Sequence, residues 1–82
     1  MKVLGVVDIE ALNETIYDLS TMLVDFMGPD QGIGSSDISC VMRDVIRSFG
    51  IDPDECTQEE RMIIRDACAR EISDYTHKLM AV

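Results

Sequence analysis

From Ile9 to Phe26 the apolar residues Ile9, Leu12, Ile16, Leu19, Leu23 and Phe26 recur at three- and four-residue steps, the spacing of one face of an α-helix. Asp8 stands where an N-cap is expected, Glu10 meets the helix dipole in the first turn, and Val7 and Leu12 are spaced as a hydrophobic staple across the cap. Gly28 and Pro29 stop the pattern, so a first helix is predicted at about residues 9–27. After the loop from Gly28 to Gly34, Ser35 or Ser36 is placed to cap a second helix, about 36–49. Its apolar stripe runs through Ile38, Val41, Met42, Val45, Ile46 and Phe49. Gly50 and the turn Asp52-Pro53-Asp54 end it. Thr57 with Glu60 reads as a capping box opening a third helix, about 58–79, which buries Ile64, Cys68, Ile72, Tyr75 and Leu79 with Ile63 and Ala67 at the margin. The pairs Asp66–Arg70, Arg70–Asp74 and Asp74–Lys78 have i,i+4 spacing on its polar face.

These patterns predict an all-α fold, a compact three-helix bundle forming a single helical domain over residues 1–82. Met1 to Val7 is read as an apolar N-terminal arm, packed on the bundle or lent to a second copy. At 82 residues there is room for one core, and with 46% hydrophobic residues and no Trp it is built of Ile, Leu, Val and Met. Val3, Leu4, Val6 and Val7, with Met62, Ala69 and Met80 behind the third helix, exceed what a small bundle covers. A homodimer is therefore expected.

Charge changes the picture more than composition does. No Lys or Arg occurs from Val3 through Met42, a stretch that holds Asp8, Glu10, Glu14, Asp18, Asp25, Asp30 and Asp37, and the net charge is −9. Such a chain lacks the clustered cations that direct nucleic-acid binding requires, and it is repelled by anionic membrane surfaces. On a helical wheel Glu10, Glu14, Asp18 and Asp25 fall within about 80° of one another, opposite the apolar face. They make a line about 22 Å long, its first members about 6 Å apart. No cation on the helix relieves them, and Asp25 lies at the end where the dipole disfavours an anion. Tyr17 and Val24 flank the line and offer apolar contact. Glu10, Glu14, Asp18, Asp25 and Tyr17 are thus the expected partner-binding residues, and the expected partner is a basic protein surface such as that of a nucleic-acid-binding protein. The expected function is a small acidic, non-enzymatic regulator or inhibitor, of the type carried by phages or mobile elements.

Two other chemistries compete. Cys40 falls opposite the apolar stripe of the second helix, near its start and near Arg43, a setting that favours the thiolate; it is the candidate reactive thiol of a redox-responsive module. The odd set Cys40, Cys56 and Cys68 suits a reduced compartment, and a cytoplasmic location is expected. Cys68 reads as core and Cys56 as loop. Those cysteines with His77 match no metal spacing, so neither metal nor cofactor is expected. The middle third, with Ser35 opening a helix and Phe49-Gly50-Ile51-Asp52-Pro53-Asp54-Glu55 following it, resembles an acyl carrier protein. That resemblance implies a phosphopantetheine arm on Ser35. The family's Asp-Ser-Leu context is replaced here by Gly34-Ser35-Ser36.

Overall fold

The computed structural model describes residues 5, 7–28 and 32–81. Three α-helices, α1 (Ile9–Met27), α2 (Ser35–Ser48) and α3 (Gln58–Met80), form an all-α bundle, with a 3₁₀ turn at Pro53–Glu55 before α3. Most of the N-terminal arm, Met1–Leu4 and Val6, and the loop residues Pro29, Asp30 and Gln31 lie outside the described residues. Val7, the described end of that arm, packs against the core cluster to which Leu12 belongs.

The helix ends follow local chemistry, with two departures from the sequence reading. Gly28, at φ 94°, closes α1 by donating its N–H to the Val24 carbonyl at 2.7 Å, a conformation that favours glycine. Thr57 and Glu60 close a reciprocal box at 3.1 Å, the Thr57 hydroxyl accepting from the Glu60 N–H and the Glu60 carboxylate accepting from the Thr57 N–H. Asp8 is the N-cap residue of α1 but makes no side-chain cap bond. For α2 the cap is Gly34 rather than either serine; its N–H donates to the Asp37 carboxylate at 3.0 Å, which moves the capping role onto a first-turn acid.

Tyr75 on α3 reaches Asp25 on α1 near the C-terminal ends of both helices, so the two run in the same sense, and α2 runs opposite to both. Leu12, Ile16, Val41, Met42, Val45, Ile46, Ile64 and Cys68 interlock as the core. The 3₁₀ turn is fastened from α3, where the Arg61 guanidinium donates to the carbonyls of Pro53 at 3.0 Å and Cys56 at 2.6 Å. Cys56 is consequently buried although it lies in a loop.

The α1 face differs from the predicted one. Ser20, Thr21 and Val24 are buried, whereas Ile9 is 58% and Phe26 89% exposed. Two neighbours account for this, since α1 packs on α3 as well as on α2, and its small residues let α3 approach. The Thr21 hydroxyl is satisfied within the helix, donating to the Tyr17 carbonyl at 2.9 Å. On α3, Leu79 is exposed and Tyr75 half-buried, because the other two helices end before its last turn is covered. The predicted α3 charge pairs do not close: among the described residues the ion pairs are Arg43–Asp54 at 3.4 Å and Arg47–Asp44 at 3.6 Å.

Burial pushes the Cys68 thiol from 9.0 up to about 11, against the Ser20 hydroxyl beside it, which pulls the other way. The folded state therefore holds this proton more tightly than the unfolded chain. The stabilisation is fully present below pH 9 and is lost as pH rises toward 11, by about 2–3 kcal/mol. Denaturant titrations between pH 8 and 11 should record that decline, and Cys68→Ala should flatten most of it; an equally steep decline in the variant would remove Cys68 as the cause.

Candidate functional site

Each acid of the predicted line is exposed on α1, but the four are not equivalent. Among the described residues no cation pairs with Glu10, Glu14 or Asp18. Asp25 instead accepts a hydrogen bond from the Tyr75 hydroxyl at 2.8 Å. That bond, with some burial and the negative charge of Asp25, holds the Tyr75 phenol above its usual range. Asp25 thereby gains the donor that the end of its own helix does not supply.

Four of the arginines are engaged within the fold, whereas Arg70 and Lys78 on α3 make no ion pair among the described residues. Arg43 pairs with Asp54 and Arg47 with Asp44, Arg61 holds the turn carbonyls, and Arg65 donates to Ser39 Oγ at 3.2 Å and to the Ser35 hydroxyl. These four guanidiniums are occupied within α2, α3 and the turn between them. Glu10, Glu14 and Asp18 are left facing solvent with no cation paired to them among the described residues, whereas Asp25 has the Tyr75 hydroxyl.

Beside the acids lies an apolar groove that the sequence reading did not find. Leu19, Met22, Leu23 and Phe26 of α1 and Val41 of α2 enclose about 260 Å³, with Asp44 at the rim. Val41 is buried at its base, Leu19 and Leu23 are half-buried, and Met22 and Phe26 project, 61% and 89% exposed. Asp18 and Asp25 lie one turn before and after Met22, so the acidic line runs along the groove's edge. Tyr17 is 48% exposed, lies near Tyr75 of α3 and does not line the groove. Val24, the other expected flanking contact, is fully buried. The apolar contact on this face comes from Met22 and Phe26 instead. A sequence signal for them existed, because the steps Leu12, Leu19, Phe26 drift by about 20° per seven residues and carry Phe26 off the core.

The rival sites are also placed. Cys40 is exposed as expected, but Arg43, the cation invoked to activate it, is engaged with Asp54. Cys56 and Cys68 are buried. A chromogenic disulfide reagent should therefore titrate one thiol rapidly in the native protein and all three in denaturant; rapid reaction of more than one would contradict this packing. Ser35 is exposed at the first turn of α2 with its hydroxyl held by Arg65. His77 is exposed, its Nδ1 bonded to the Ser73 carbonyl at 2.9 Å. No cluster of three or more His, Cys, Asp or Glu among the described residues is arranged to hold a metal ion. No described helix is long and apolar enough to cross a membrane.

The chain matches no protein-family model, and comparison with curated proteins and with solved structures returns no match.

Proposed function

We propose that this protein is a non-enzymatic interaction module that docks the acidic face of α1 on a basic protein surface, acting there as a regulator or inhibitor. The observation that carries the reading is the uncompensated row of Glu10, Glu14 and Asp18, in a fold where Arg43, Arg47, Arg61 and Arg65 are held elsewhere. A row of carboxylates about 6 Å apart matches Lys or Arg side chains at helical or strand spacing. It also steers a cationic partner toward the encounter, an effect that weakens with salt. Asp25, tied to Tyr75, contributes charge to this face while bracing α1 against α3.

The direct experiment is capture of partners from the native host with the wild-type protein and with a Glu14→Lys, Asp18→Lys variant. A specific cationic partner held by the wild type and lost by the variant supports the proposal. Equal capture by both reduces the row to an ordinary solvated face. The homodimer expected from composition would use the back of α3, where Met62 and Met80 are exposed, and would leave α1 free.

A further inference from the structure

The acidic row sits beside a groove that charge alone does not explain. Exposed methionine and phenylalanine are costly to leave in water and are enriched at the centres of protein interfaces. At about 260 Å³ the groove lies below the range of roughly 300–1,000 Å³ usual for small-molecule sites. Its lining of five apolar residues and Asp44 offers no converging polar groups to orient a metabolite. Such a space suits one or two large apolar side chains presented by a polypeptide.

We propose that the α1–α2 groove receives an amphipathic, cationic helix from a partner protein. The helix inserts apolar side chains at i, i+3 and i+4 spacing between Met22 and Phe26, while its Lys or Arg residues meet Asp18 and Asp25 along one edge. This rests on the acidic-face reading and specifies its partner. Charge selects the occupant: α1 carries no cation, and on α2 the rim residue Asp44 is matched only by its own Arg47. A second copy docking here through the same face would set Asp18 and Asp25 against identical acids, which disfavours self-association at this groove.

The test uses a synthetic peptide of about five helical turns, with Leu at helical i, i+3, i+4, i+7 spacing and Lys elsewhere, and a second peptide of the same composition in scrambled order. Anisotropy of the labelled peptides, titrated with the intact protein, should give at least ~tenfold tighter binding of the patterned one. Phe26→Ala and Met22→Ala should each weaken it about tenfold, whereas Met62→Ala on the back of α3 should not. Because Phe26 and Met22 are exposed, both variants should retain the wild-type circular dichroism. Equal binding of the two peptides, or no loss in either groove variant, overturns the inference. If Glu14→Lys, Asp18→Lys then still abolishes binding, the acidic-face reading survives without the groove. If binding is indifferent to that charge reversal, the reading underneath fails as well. A dimer of the wild type that Phe26→Ala dissociates would assign the groove to a second copy and also overturn it.

Discussion

Ile64→Ala is expected to lower the unfolding free energy by about 2–5 kcal/mol, the range for truncating a fully buried aliphatic side chain with a cavity left behind. Ile64 is 1% exposed and belongs to the cluster that joins all three helices. For a chain of this length a total stability of about 4–12 kcal/mol is typical, so the loss takes a large share and can unfold the protein at physiological temperature. Urea titration should show a lower midpoint with an unchanged slope. Phe26→Ala, by contrast, should stay within about 0.5 kcal/mol of wild type. A cost below about 1 kcal/mol for Ile64→Ala would mean that the core lies elsewhere.

Glu14→Lys is expected to move stability and binding in opposite directions. The residue lies four positions after Glu10 and four before Asp18, so the substitution converts two repulsive i,i+4 pairs into two attractive ones and should raise stability by roughly 1 kcal/mol. The same change places a cation in the middle of the proposed docking face and should weaken a basic partner at least about tenfold, through a like-charge contact. If the acids were only a solvated face, stability would rise and binding would be untouched. A binding surface selected at the expense of local stability predicts the divergence.

Much of the bundle was legible because its punctuation is chemical. Gly28, the Thr57–Glu60 box and the Asp52-Pro53 turn fixed helix ends to within a residue or so of those observed. The second helix was the clearest, since it packs with one face and Val41, Met42, Val45 and Ile46 are all buried on it. The first helix was harder for a physical reason. Its broadest contact is with α3, and that packing recruits Ser20 and Thr21, residues whose polarity marks them as surface until their hydroxyls are seen buried. The buried Ser20 hydroxyl has the Cys68 thiol beside it. That packing leaves Met22 and Phe26 exposed at the groove. It also brings Asp25 to Tyr75, a partner fifty residues away that no local pattern encodes. The line of Glu10, Glu14 and Asp18 needed only helical periodicity, and so it was readable from the start.

The unpaired carboxylates of Glu10, Glu14 and Asp18 therefore define the proposed docking face, with the groove as its apolar complement. Its most direct test is a backbone-amide NMR titration of the intact protein with the patterned Leu–Lys peptide. Shift changes are expected along α1 from Glu10 to Phe26 and around Val41 and Asp44, diminishing as salt is raised. Changes centred on the Met62–Met80 face of α3, or spread evenly over the molecule with no preference for α1, would contradict it.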